Sequence, residues 1–186
     1  MRDPGNNHIK AWAREYEEEP FFFEQDSAHG KRIVAWSEEP DQTKGAFYSL
    51  IEAFPDEIEV LLKISAEIGL DGKPLWSRFY GLLQREHAIS VIRSQEEYAF
   101  SDGMNQICIK DPNSEKYFAF DEHGIFFVYS PHSDDMEIFR SLKFGERYAE
   151  PIYSMPHFHH TSEESEKMEM KFVTSLGLKS DDSDLD

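Results

Sequence analysis

Hydrophobic positions along the chain change period several times, and each period predicts an element. Ile9, Trp12, Ala13 and Tyr16 fall at i, i+3, i+4 and i+7, the spacing of one helix face. Asn6 or Asn7 can cap this helix, and Pro20 ends it after Glu17, Glu18 and Glu19. Phe21–Phe23 and Arg32–Ser37 read as strands around a polar connection that holds His29 and Gly30. Phe47, Leu50, Ile51 and Phe54 return to helical spacing, closed by Pro55. Ile58, Val60, Leu62 and Ile64 then alternate with Glu57, Glu59, Leu61 and Lys63, the pattern of a strand with one buried face.

Asp71–Pro74 reads as a turn and Trp76–Tyr80 as a strand. Leu82–Gln95 fits a helix with a bulky face, with a strand over Ala88–Ile92 as the competing reading. After the Asp102–Gly103 turn, a strand around Ile107 is followed by Tyr117–Phe120 and Ile125–Tyr129, joined by Asp121–Gly124. These three form a meander. Its last strand is apolar on both faces, which predicts a central position covered by helices. Ser133 is placed to cap a helix with Ile138, Phe139 and Leu142 on its apolar face, ending at Gly145. Thr161 and Glu164 have the spacing of a capping box before a last helix, carrying Met168, Phe172, Val173 and Leu176 and stopped by Gly177.

Helices and strands interleave without strand–helix alternation, so the expected class is α+β: a mainly antiparallel sheet with a C-terminal three-strand meander, packed by several short helices. The expected domain covers residues 1–178. Residues 179–186 read as a disordered acidic tail.

Charge changes the picture most. The chain has 37 Asp and Glu against 19 Lys and Arg, a formal net charge of −18. Such a surface repels phosphate backbones and anionic lipid, which argues against nucleic-acid and membrane partners. With 15 Phe and 3 Trp the chain nonetheless has the apolar groups to fold. Its single cysteine, Cys108, has no internal partner and lies in an alternating run that reads as a strand. Met1–Asn7 lacks the apolar stretch of a signal peptide, so the expected location is the cytoplasm.

Motifs for nucleotide binding and serine hydrolysis are missing, and no cofactor is implied. Paired acids such as Glu38–Glu39, Glu96–Glu97 and Asp134–Asp135 are abundant in a chain this acidic and do not by themselves mark a glycosidase. The expectation is therefore an acidic protein-binding module: an inhibitor or immunity-type protein that neutralises a basic partner such as a nuclease toxin. Its binding residues would be Glu38, Glu39, Asp41, Asp121, Glu122, Asp134 and Asp135, with Tyr129 and Tyr153 as aromatic anchors.

Two alternatives stand beside it. One is a structural or regulatory domain without a strong charged partner. The other is a metal-dependent enzyme built on His157, His159 and His160. On an extended segment His157 and His159 point the same way. Further ligands would come from His132, Asp134, Asp135 or Glu163 by proximity along the chain, while His123 and His87 read as a turn residue and an interface residue.

Overall fold

A computed structural model describes residues 10–12, 18–28, 30–68 and 74–180. The elements run β1 (Ala11–Trp12), β2 (Phe21–Ser27), β3 (Gly30–Trp36), α1 (Pro40–Glu52), β4 (Glu57–Ile68), β5 (Pro74–Gln84), α2 (Arg85–Ser94), α3 (Glu96–Ser101), β6 (Asn105–Lys110), β7 (Tyr117–Phe120), β8 (Ile125–Tyr129), α4 (Ser133–Ser141), β9 (Gly145–Glu146), a 3-10 turn (Ile152–Ser154), β10 (Phe158–His159), α5 (Ser165–Leu176) and β11 (Lys179–Ser180). Among the described residues nine strands form one sheet in the order β11-β5-β4-β6-β7-β8-β3-β2-β9, and β1 pairs separately with β10. Every pairing is antiparallel except β2 with β9. The class is α+β, with the expected meander at β6-β7-β8 in the middle of the sheet.

Strand alternation separates two cores. Ile58, Val60, Leu62 and Ile64 of β4, Ile107 and Ile109 of β6 and Phe118 and Phe120 of β7 point to one face, where the helices pack. Phe47 of α1 stands edge-on to Phe100, Phe118 and Phe120 at centroid distances of 5.2, 5.3 and 6.0 Å. In the Phe21–Phe23 run Phe22 joins this core, while Phe21 and Phe23 point the other way with Val34, Trp36 and Ile125. That second core is roofed by Ala149 and Ile152 of the irregular chain after α4. Strand β8 is thus central as expected, but a loop segment rather than a helix covers one of its faces.

Several expectations are corrected. Ala11 and Trp12 are extended, because they pair with His159 and Phe158; most of the expected N-terminal helix lies outside the described residues. Leu82 belongs to β5, since the hairpin continues to the Glu57–Gln84 pair and gives Leu82 and Leu83 strand partners. The helix therefore begins at Arg85, where its N–H meets Asp56 O at 2.7 Å, and the strand alternative over Ala88–Ile92 does not form. A separate α3 follows a break at Gln95, whose φ of −136° is not helical. His132, not Ser133, is the N-cap of α4: its N–H donates to Asp135 Oδ2 at 2.7 Å, and the Asp135 N–H donates to His132 O at 3.1 Å. Helix α4 ends at Ser141, with Lys143 taking a left-handed φ of 65° and Gly145 pairing with Phe21. Thr161 and Glu164 make no capping box; α5 starts at Ser165, to which Thr161 Oγ1 donates at 3.3 Å. Gly177, with φ 69°, does stop α5. Lys179 and Ser180 of the expected tail form an edge strand on β5, and residues 181–186 lie outside the described set. Among the described residues no helix is long and apolar enough to cross a membrane.

Candidate metal centre

The β7–β8 turn and the segment after Pro156 meet at one end of the sheet. In the turn, Asp121 Oδ1 accepts N–H groups from His123 (3.0 Å) and Ile125 (2.8 Å), and Oδ2 faces His123 Nδ1 at 3.0 Å. This fixes the imidazole of His123 against the end of the sheet. Strand β10 is held by its pairing with β1 and by two further bonds: Gly103 N–H donates to His160 O (2.6 Å) and His160 N–H donates to Lys10 O (2.7 Å). A side chain at Gly103 would not fit, since its Cβ would stand 2.2 Å from Lys10 O and 3.1 Å from His159 Nδ1. Only glycine lets the three segments approach this closely.

The result is a cluster of three imidazoles. A ring nitrogen from each of His123, His157 and His159 lies within 4.8 Å of the other two. The ring centroids are 4.8, 4.9 and 5.1 Å apart, close to an equilateral triangle. Around a tetrahedral zinc with bonds of 2.0–2.1 Å, imidazole centroids stand roughly 5 Å apart and ligating nitrogens roughly 3.3 Å apart. The Nε2 atoms of His123 and His157 are 3.1 Å apart.

Hydrogen-bond accounting says what these nitrogens carry. His157 Nδ1 faces Met155 O at 2.8 Å and His159 Nδ1 faces Glu122 O at 3.1 Å. Carbonyl oxygens only accept, so both Nδ1 atoms carry the hydrogen. His123 Nδ1 faces a carboxylate oxygen and donates likewise. In the neutral rings all three Nε2 atoms are then lone pairs, and two of them face each other at 3.1 Å with no hydrogen between. A cation, either a proton or a metal ion, is what this arrangement accepts. Outer Nδ1–H bonds to a carboxylate or backbone carbonyl are also the supports that orient metal-ligating histidines.

Electrostatics separates the three rings. Burial works against charging His123, but the hydrogen bond and charge of Asp121, with the charge of Glu122, raise its pKa above the ordinary 6.5. Burial, together with His123 and His157, lowers that of His159. Tyr153, 44% exposed, stands edge-on to His123 at 5.7 Å, and burial raises its pKa, so its hydroxyl stays a donor. Beneath the centre lies Lys10, fully buried, donating to Asn105 O (2.8 Å) and Asn105 Oδ1 (2.7 Å). Asp121, Glu122 and His123 also bring ligand atoms together, but both Asp121 oxygens are already occupied by N–H donors.

No known protein family, curated protein or solved structure matches this chain.

Of the expected metal ligands, His157 and His159 join the cluster. His160 does not: it follows the strand alternation to the other side, where Nδ1 meets Ser101 O at 2.9 Å. Its place is taken by His123, read from sequence as a turn residue. The contact spans 34 positions, and the local hint was an acid two residues before the histidine in a tight turn. His132, Asp134 and Asp135 belong to the opposite end of the sheet, and Glu163 is exposed beyond β10.

The expected binding acids divide between the two ends. Trp36 pairs with Ile125 and Arg32 with Tyr129. Glu38, Glu39 and Asp41 therefore share an end with Asp121 and Glu122, while Tyr129 lies about 13 Å from Ile125 at the far end of β8, where Asp134 and Asp135 follow in α4. Glu38, Glu39, Asp41 and Asp134 are exposed, but Asp121 and Asp135 are buried and committed to internal bonds. Tyr129 stacks on Tyr117 at 4.3 Å. Cys108 sits in β6 as expected, and burial pushes its thiol up to about 11, which keeps it unreactive.

Proposed function

We propose that this chain is a metal-binding protein of the zinc class, with His123, His157 and His159 as ligands and a fourth position left for water or substrate. The observation that carries the reading is the convergence of three imidazoles whose Nδ1 atoms are each committed to an acceptor oxygen. Three histidines with an open position are the plan of sites in which the metal acidifies a bound water or polarises a substrate oxygen. This favours a metal-dependent enzyme, with Tyr153 at the rim as a hydrogen-bond donor to an oxygen that gains charge.

The test is metal stoichiometry. After chelation and dialysis, one zinc or cobalt(II) ion per chain should bind, and cobalt should give the intense visible absorption of a tetrahedral site. His123→Ala and His157→Ala should lose it, and His160→Ala should keep it. Binding well below one ion per chain, or equal loss in His160→Ala, would sink the proposal.

A second reading rests on the net charge of −18 and on exposed Glu38, Glu39 and Asp41 at the start of α1: an acidic module that neutralises a basic partner in the cytoplasm, as immunity proteins do. Salt-graded capture from cell extract tests it. A single basic protein, released only at high salt and lost with Glu38→Gln and Glu39→Gln, would support this reading; an empty eluate would remove it.

A further inference from the structure

We propose that a second site, the cleft between α3, β4 and α5, binds a small organic cation of the alkyl-diammonium class. The cleft encloses about 370 Å³ and is lined by Ile64, Ser65, Tyr98, Asp102, Glu166 and Glu169 among others. That volume lies within the range of small-molecule pockets, about 300–1,000 Å³.

Two side chains that line the cleft each hold a buried polar atom with no partner among the described residues. Tyr98 is 3% exposed, and its hydroxyl has no hydrogen-bond partner among the described residues. Asp102 is also 3% exposed; its Oδ1 accepts the Met104 N–H at 2.8 Å, while Oδ2 has no partner among the described residues. A native protein rarely leaves such groups unmatched, and each costs stability until a ligand or water meets it.

The sign of the ligand follows from the walls. Asp102, Glu166 and Glu169 line the cleft, and none of its described lining residues is Lys or Arg. The nearby buried amine of Lys10 is spent on Asn105. Backbone N–H groups at the start of α5 would favour an anion, but Ser165 N–H is already bonded to Ser162 O and three carboxylates outweigh the rest. Burial raises Asp102 and Glu169, and their mutual charge adds to this for Glu169, a crowding that a bound cation relieves.

The polar groups differ in depth. Asp102 and the Tyr98 hydroxyl are buried, Glu169 is half-buried and Glu166 is exposed. In the proposed complex one ammonium would take up the Asp102–Tyr98 end, methylenes would lie along Ile64 and Met104, and a second ammonium would sit at Glu166, all residues that line the cleft.

The test is calorimetric titration of the full chain with 1,4-diaminobutane, with 1,4-butanediol as the neutral control and calcium as the competing cation, at about 0.15 M salt so that loose charge attraction is screened. We expect one diamine per chain, no binding of the diol, and at least a tenfold loss in both Glu169→Gln and Tyr98→Phe, each checked for wild-type melting. Binding in His157→Ala should equal wild type, which separates this site from the metal centre. Diamine binding no tighter than the diol, binding unchanged in both variants, or calcium in place of the diamine would overturn the proposal.

Discussion

Two buried lysines mark the two ends of the sheet, and they are treated differently. Lys116 donates to Asp135 at 2.7 Å, with 10% and 2% of the side chains exposed, and its amine lies 5.2 Å from the centroid of Phe54. The other Asp135 oxygen takes the His132 N–H at 2.7 Å and caps α4. Both Asp135 oxygens are thus bonded within this end of the sheet. Lys10 has an aromatic ring too, Phe120 at 4.5 Å, but its bonds go to the neutral oxygens of Asn105. Burial, only partly opposed by Asp121, Glu122 and Asp102, pulls its pKa down to about 7. Asp121, the carboxylate that could have matched Lys10, is turned to His123 instead. One end closes its charges on itself, as a structural joint does. The other diverts its carboxylate to orient an imidazole, as a site does.

The largest effect should come from breaking the closed end. Asp135→Ala leaves Lys116 charged and buried and removes the α4 cap, and such a loss costs about 3–5 kcal/mol. Urea melts should show this drop with metal affinity unchanged. A cost below about 1 kcal/mol would mean that the pair contributes no more than a surface ion pair.

The next effect tests whether Lys10 lacks a charge partner. The unfolded chain holds its proton to about 10.5, while the folded chain releases it near 7. Below pH 7 both states are charged and the burial penalty is fully present. Between 7 and 10.5 the unfolded state binds more protons, so folding gains stability as pH rises, at about 1.4 kcal/mol per unit at most. Comparing Lys10→Met with wild type between pH 7 and 9 cancels the general repulsion of an acidic chain. The wild type should gain on the variant by roughly 1–3 kcal/mol over those two units; identical pH profiles would show that Lys10 stays charged.

The sequence disclosed these ends unequally. The meander, the one-sided strand β4 and α1 were legible because their periods are local and their cores are continuous. The misplaced boundaries at Leu82 and Ser133 share a cause: cross-strand pairing in β5 and the Asp135 carboxylate on the His132 N–H override the local signal; at Thr161 the hydroxyl turns to Ser165 Oγ instead of a backbone N–H. Half of the metal centre was legible, since His157 and His159 obey strand alternation. His123 was not, because three segments far apart in sequence meet there through the close approach at Gly103. Acid counting failed for a similar reason. Asp121 and Asp135 read as surface charges, yet each sits next to a group that needs it in the interior.

The smallest of these effects is the most informative about function. If Asp121 is kept for His123, Asp121→Asn should retain the turn's backbone bonds through the amide oxygen while removing the charge that orients and polarises the ring. Loss of such an outer partner typically lowers metal affinity about 10–100-fold. The same change strips Lys10 of its strongest charge attraction, so the Lys10 amine should lose its proton at still lower pH. The two readouts separate the possibilities. Weaker zinc binding together with a lower Lys10 pKa fits a carboxylate shared by site and lysine but spent on the site. A lower Lys10 pKa with unchanged zinc affinity would make Asp121 a turn residue only, and His123 would then be held by packing rather than by its acid.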